Sequence, residues 1–159
     1  MDTPELMRAI AKRLSQVPGV AGSYYPALNQ VPVSPCVFVI DGSAAGPTVI
    51  HRDMRKGAEH LPMITVRILV KSQKDRPREA TKIDSLIDPI LDALSAPIRE
   101  MFVGLSGHVA RIWDTATVTR GHTFEYSGEF CYAADIALNP KFHRVPVATL
   151  PPTDVTPQE

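Results

Sequence analysis

The chain has few aromatic residues, few cysteines and no excess of charge of either sign. Five Phe, four Tyr and one Trp stand beside fifteen Pro in 159 residues, a composition typical of a chain with many bends and long loops. Seventeen basic residues balance seventeen acidic ones. This neutrality removes the broad electrostatic argument for a protein that condenses nucleic acid or holds a membrane through a polybasic surface.

Long hydrophobic runs are also missing. The longest ones, such as residues 36–40, fall far short of the ~20 residues that a membrane-spanning helix needs, so we expect no membrane association. The first residues show no apolar core or small-residue cleavage site, and a secretory signal is not expected. The only cysteines, Cys36 and Cys131, both lie in strand patterns. This favours buried thiols in a reducing compartment, with a cross-strand disulfide as the alternative.

Motifs for cofactor chemistry are absent as well. The sequence contains no GxGxxG and no GxxxxGK[ST], the glycine loops that cradle phosphates. Its histidines form no HExxH motif, no i, i+4 pair and no partnership with a CxxC, so a zinc site has no local support. We therefore predict no cofactor and no metal. The five histidines are His51, His60, His108, His122 and His143.

Two weak arrangements of catalytic residue types are present. Ser106 lies between glycines beside His108, but a nucleophile elbow needs glycine two residues after the serine and a strand-to-helix turn, and neither is expected here. Asp84, Asp88 and Asp92 are spaced by four and share one side of a helix. Their mean direction points away from the apolar face, which favours a solvated stripe over a cation site. We expect no enzyme.

The first half of the chain predicts a helix followed by strands. Thr3 and Pro4 are start signals for an amphipathic helix that ends at Pro18-Gly19, and a short strand follows within residues 20–25. Residues 36–40 are apolar on both faces, which is typical of a central strand covered on both sides. Residues 41–60 then form a long projecting excursion with a strand near 48–53.

The second half predicts one further strand, a helix and a hairpin. Residues 64–70 alternate as a half-buried strand, and from Arg76 the apolar residues recur with the strongest helical period in the chain. Pro89 either kinks this helix or starts a second one. Two long strands, 109–119 and 123–138, are expected around a turn at residues 120–122. The fold class is α+β: a mostly antiparallel sheet, helices on one face, a long hairpin and an extended arm.

The predicted hairpin ends at Leu138, and the composition changes after it. Residues 139–159 hold five prolines and no helical period, so this segment cannot bury enough apolar surface to order itself. We interpret the chain as one domain, residues 1–138, followed by a Pro-rich extended C-terminal arm, residues 139–159, that another molecule holds.

Two segments are basic. Residues 51–56 carry a net charge of +2 and residues 71–82 a net charge of +3, with histidine neutral. Both lack the interleaved aromatic residues of a single-strand stacking platform, which favours ordinary solvated charge over a nucleic-acid site.

The order of these elements resembles the tail terminator and head-to-tail connector (neck) proteins of long-tailed bacteriophages. The resemblance covers about residues 3–138, and the arm lies outside it. The segments that carry it are residues 3–14, 17–20 and 35–40, the long excursion, residues 64–70, Ile87-Asp88-Pro89, and residues 126–130 with the sequence Tyr-Ser-Gly-Glu-Phe.

The resemblance implies a structural virion protein at the tail–neck junction, assembled in the host cytoplasm. It implies a tail terminator, which is a homo-oligomer that we expect to be a hexameric ring. This ring caps the tail tube and joins it to the connector or stopper protein. DNA would pass through the lumen without sequence-specific binding. We expect the subunit or DNA contacts to be made by residues with charge or with apolar surface to bury. They are Arg52, Arg55, Lys56, Arg120, Phe142, Val145, Val147 and Leu150.

Two alternatives stay open at this point. One is another neck component, such as a head-completion or stopper protein. The other belongs to a different class: a small monomeric hydrolase or ligand-binding α+β domain that uses Ser106 and His108. A ring and a monomer differ in mass, so the mass in solution separates the two classes.

Overall fold

The computed structural model describes residues 2–41, 44–53, 57–71, 76–102 and 109–144, which form an α+β protein with two mostly antiparallel sheets. The predicted α+β class with a mostly antiparallel sheet is confirmed. The helices are α1 (Thr3–Leu14), α2 (Arg76–Ala93) and α3 (Ile98–Met101). The strands are β1 (Gly22–Tyr24), β2 (Cys36–Ile40), β3 (Val49–Asp53), β4 (Gly57–Leu61), β5 (Ile64–Lys71), β6 (Val109–Arg111), β7 (Thr117–Tyr126), β8 (Glu129–Leu138) and β9 (Lys141–Arg144).

α1 forms where the sequence predicts a helix, but a different residue caps it. The Asp2 carboxylate accepts a hydrogen bond from the Glu5 N–H at 2.8 Å, and Thr3 is already the first helical residue. Aspartate is as good a cap as threonine, and proline in the first turn needs no N–H partner. The helix buries one face against the sheet through Leu6, Met7, Ile10, Ala11 and Leu14.

The five-stranded sheet has the order β1-β2-β5-β8-β7. β5 lies at its centre and pairs antiparallel with β2 and β8, while β1 runs parallel to β2. β2 is therefore next to the centre rather than central. It is covered on both sides as predicted: Val37 and Val39 join the main core under the helices, and Phe38 joins a second cluster beneath Val31.

α2 is one continuous helix that contains Pro89. Pro89 is exposed, so its ring faces solvent while Ile83, Leu86 and Ile90 pack into the core. Of the two interpretations of Pro89, a second helix starting there is excluded. Asp84, Asp88 and Asp92 are all exposed, which agrees with the solvated-stripe interpretation, although Asp84 also forms an ion pair with Arg120.

The predicted turn at residues 120–122 is wrong. β7 runs through these residues with a bulge between Thr119 and His122, and the chain reverses at Ser127-Gly128 instead. Both turn residues have positive φ, 50° and 79°, as a two-residue type I′ hairpin turn requires. The predicted strand 123–138 is thus the end of one strand and the whole of the next, β8. The predicted strand 109–119 is also interrupted, since β6 ends at Arg111.

The second sheet has the order β3-β4-β9-β6 and was not predicted. The excursion folds into the β3–β4 hairpin, and β9 pairs with β4 on one side and β6 on the other. β9 thus lies within residues assigned to the arm. It is ordered because Phe142 is fully buried in the main core, where Val109 of β6 also packs.

None of the described helices is long and apolar enough to cross a membrane.

Candidate assembly surface

The β3–β4 hairpin presents an open strand edge. β3 pairs with β4 in uninterrupted register from Val49↔Leu61 to Asp53↔Gly57, and β3 has no partner strand on its other side among the described residues. The side chains of residues 49–52 are all exposed. Val49 is 49% and Ile50 58% exposed, on opposite faces of the strand. Both edge backbone groups and aliphatic side chains are therefore available to a partner.

The edge of the other sheet at β7 is different. A bulge interrupts its register between Thr119 and His122, and Arg120 projects there to an ion pair with Asp84 at 2.7 Å. A bulge and a charge are the devices by which proteins prevent an edge strand from pairing with another chain. β3 has no bulge and two β-branched residues, so among these two edges it is the one suited to strand addition.

One face of the second sheet carries two arginines beside a stacked aromatic pair. Arg52 and Arg144 both stand opposite Ala58, one on each side, which separates their backbones by two strand spacings, roughly 10 Å. No ion pair joins either arginine to another described residue. His60 stacks on Phe142 with ring centroids 5.1 Å apart. Burial, and then the charge of Arg144, lower the pKa of His60, so it is neutral at pH 7.

The opposite face of this sheet is charge-compensated. The Glu59 carboxylate lies 3.2 Å from Lys141 Nζ and 3.4 Å from His143 Nε2. His51 stands opposite Glu59 on the neighbouring strand. The positive charge that remains available to an anionic partner therefore lies on the Arg52 and Arg144 face.

The predicted interface residues have different positions. Arg52 lies on the open edge strand β3. Arg120 lies on β7 of the other sheet and forms an ion pair with Asp84 of α2. Phe142 has no exposed surface, because it packs inside its own chain, and it is therefore not an interface anchor. The remaining predicted residues lie outside the described ranges: Arg55, Lys56, Val145, Val147 and Leu150.

The described residues contain no group of three or more His, Cys, Asp or Glu side chains that could hold a metal ion. Ser106 and His108 lie outside the described ranges. Cys36 and Cys131 are buried free thiols. Burial, and then the neighbouring Cys131, raise the pKa of the Cys36 thiol to about 12, so this thiol is not a nucleophile at neutral pH.

One polar cluster on the outer face of the five-stranded sheet was missed by the sequence analysis. The Arg67 guanidinium donates to both carboxylate oxygens of Asp135, at 2.8 and 3.0 Å, and to the Tyr126 hydroxyl at 3.1 Å. It also lies 3.8 Å above the centre of the Phe124 ring. Burial disfavours the charge of Arg67, but its hydrogen bonds outweigh burial and raise its pKa. The sequence signal for this cluster was Arg67 itself, the single arginine in the alternating strand at residues 64–70.

These features provide a surface that a partner molecule can bind. An open edge strand can accept a strand from another chain. The face with Arg52 and Arg144 can contact an anionic group, such as a phosphate, through charge alone. No protein-family model matches the chain, and no curated protein matches it.

Proposed function

We propose that the chain is a structural subunit of a long-tailed bacteriophage, a tail terminator that forms a hexameric ring. The ring caps the tail tube, stops its growth and joins it to the connector or stopper protein of the neck. The observation that carries this proposal is the open, regular β3 edge with Val49 and Ile50 exposed beside it. An edge of this kind is a liability in a monomer and an interface in an assembly.

The order of elements supports the same function. Most segments on which the neck-protein resemblance rests form α1, β2, the β3–β4 hairpin, β5 and α2. Residues 126–130, which also carry it, form the β7–β8 turn and the strand residues beside that turn. In a ring, each subunit presents two different surfaces to its two neighbours. The β3–β4 hairpin provides one such surface, because no described strand pairs with its outer edge while its inner edge is anchored through β9 to the core.

The arginine face supports the passage of DNA. Arg52 and Arg144 offer positive charge on a strand surface, and Phe142 on the same face is buried. Such a surface can contact phosphates through charge, a contact that carries no sequence information. A lumen that conducts a genome needs contacts of this weak, sequence-independent kind.

The test is the mass of the purified full chain by light scattering, with negative-stain images of the same fraction. We expect a ring of six-fold symmetry, alone or after addition of the major tail tube protein. A ring that binds the connector but leaves tube length unchanged would indicate the stopper role instead. A monomer under all these conditions would overturn the proposal.

A further inference from the structure

We propose that residues 147–150 of one copy add as a fifth strand to the four-stranded sheet of the next copy, parallel to β3. The inference rests on the proposed ring, because it assigns the contact that joins neighbouring subunits. The contact consists of backbone hydrogen bonds along β3 and apolar contacts beside them, so no covalent bond is made or broken.

The acceptor is the β3 edge. Its register with β4 is regular over all five residues, which leaves alternate backbone N–H and C=O groups pointing outward in a straight row. Val49 and Ile50 flank this row on the two faces. An added strand therefore gains main-chain hydrogen bonds from the edge and a side-chain contact on each face, the combination that gives β-augmentation its affinity.

The donor follows from the sequence after β9. Prolines at positions 146, 151, 152 and 157 leave two four-residue stretches that can pair along their whole length, 147–150 and 153–156. The first reads Val-Ala-Thr-Leu and has apolar side chains for both faces of a strand, whereas the second reads Thr-Asp-Val-Thr. Residues 147–150 are therefore the better partner for the exposed aliphatic residues of β3.

The charges of the two segments are complementary. Residues 145–159 contain Asp154 and Glu159 and no basic residue, a net charge of −2. Residues 51–56 have a net charge of +2, and Arg144 lies on the same face as Arg52. The acidic segment is thus attracted to the basic end of the hairpin, including the hairpin of a second copy.

The reach of the chain requires that the acceptor belong to another copy. β9 runs parallel to β3 with β4 between them, so a strand added outside β3 lies three strand spacings from Arg144, roughly 14 Å. Three residues of extended chain span at most about 11 Å, so residue 147 cannot reach its own β3 from Arg144. The pairing therefore links neighbours head to tail, as a closed ring requires.

The experiment compares the full chain with two double variants. Ala148→Pro/Thr149→Pro removes a backbone donor whichever of the two residues faces β3, and Val155→Pro/Thr156→Pro is the matched control in the second stretch. Amide hydrogen exchange of residues 49–53 and the mass in solution are measured for each protein. We expect alternate amides of β3 to exchange at least about tenfold faster in the first variant, with loss of the ring. The control should keep both.

The outcomes separate this inference from the proposed function. A native ring whose mass and β3 exchange are unchanged in Ala148→Pro/Thr149→Pro overturns strand addition and leaves the ring proposal standing. The native protein could instead form an oligomer of another size, with slow amide exchange in β3 that Ala148→Pro/Thr149→Pro abolishes. That result would support strand addition and overturn the hexamer.

A cysteine experiment tests that the contact lies between copies. Copies carrying Ile50→Cys are mixed with copies carrying one cysteine at a position from 147 to 150, and disulfide-linked dimers are expected. A single chain carrying both substitutions that forms the link only within itself overturns the proposal.

Discussion

At the scale of the residue, Arg67 organises the outer face of the five-stranded sheet. Its side chain is 19% exposed and that of Asp135 is 21% exposed, so the bidentate pair is shielded from most of the solvent. Polar atoms at this depth cost free energy when they lose their partners. The contact joins residues 68 positions apart that stand opposite each other on the neighbouring strands β5 and β8. No local pattern predicts such a pairing, although the alternation of β5 does place Arg67 on the face opposite the core.

We expect Arg67→Ala to lower the free energy of unfolding by about 2 kcal/mol, because it leaves the Asp135 carboxylate without its hydrogen-bond donor and removes the contact with the Phe124 ring. Urea denaturation followed by circular dichroism measures the change.

Arg120→Ala is the matched control. The Arg120–Asp84 pair has a similar distance of 2.7 Å, but its side chains are 59% and 54% exposed. Its loss should cost less than about 1 kcal/mol, since solvent screens the charges. Equal effects of the two substitutions would contradict the view that burial decides the value of these ion pairs.

At the scale of the element, the β7–β8 hairpin explains the main error of the sequence analysis. Phe124 pairs with Cys131, and Tyr126 pairs with Glu129. Across a two-residue turn, an even-numbered residue thus stands opposite an odd-numbered one. Apart from Gly128, the even positions from 124 to 138 are all apolar on both sides of the turn, although the faces have exchanged. A numerical period of two therefore cannot distinguish one long strand from this hairpin.

Gly128 tests the turn. We expect Gly128→Ala to cost about 1 kcal/mol of stability, since its φ is +79° and an L side chain is strained in that region. An added Cβ meets nothing within 4 Å, so the effect is one of the backbone alone. Gly128→Asn should cost less, because asparagine tolerates this conformation. Thermal unfolding of both variants measures the difference, and an equal loss in the two would argue against a purely conformational origin.

Elements with a strong local signal were predicted well. α1, α2 and β5 have apolar residues on the faces that the periodicity indicated, because one face of each packs on the main core. β6 and β9 are only three and four residues long and carry little pattern of their own. Their position depends on pairing with distant strands, which single-sequence patterns do not contain.

At the scale of the whole molecule, the second sheet separates the core from the candidate surface. Phe142 and Val109 connect this sheet to the main core, whereas Ile50 and Arg52 lie two strands farther out and are exposed. The sequence analysis predicted a projecting excursion in this region. It could not predict which edge of the excursion is free, since that depends on β9, which begins eighty residues after β4 ends.

Two equally exposed apolar residues test whether the β3 edge is the subunit contact. Ile50 and Phe130 are both 58% exposed, but only Ile50 lies on β3. We expect Ile50→Glu to lower the mass in solution to that of smaller species, because it places a negative charge where an acidic segment adds. Phe130→Glu should leave the assembly intact. Light scattering at matched concentrations compares the two, and both should unfold at the temperature of the native protein. Loss of assembly with Phe130→Glu alone would assign the contact to the β7–β8 hairpin.

The direct connection between the two sheets has a mechanical consequence. Only Asn139 and Pro140 separate β8 from β9, and each of these strands lies inside its sheet, with a paired strand on both sides. A pull applied beyond Arg144 runs along β9, and since ladder hydrogen bonds lie across the strand direction, it loads all of them together in shear. The same tension passes through two residues into β8 at the middle of the core. The subunit can therefore carry a load from its C-terminal segment through both sheets, instead of peeling open one hydrogen bond at a time.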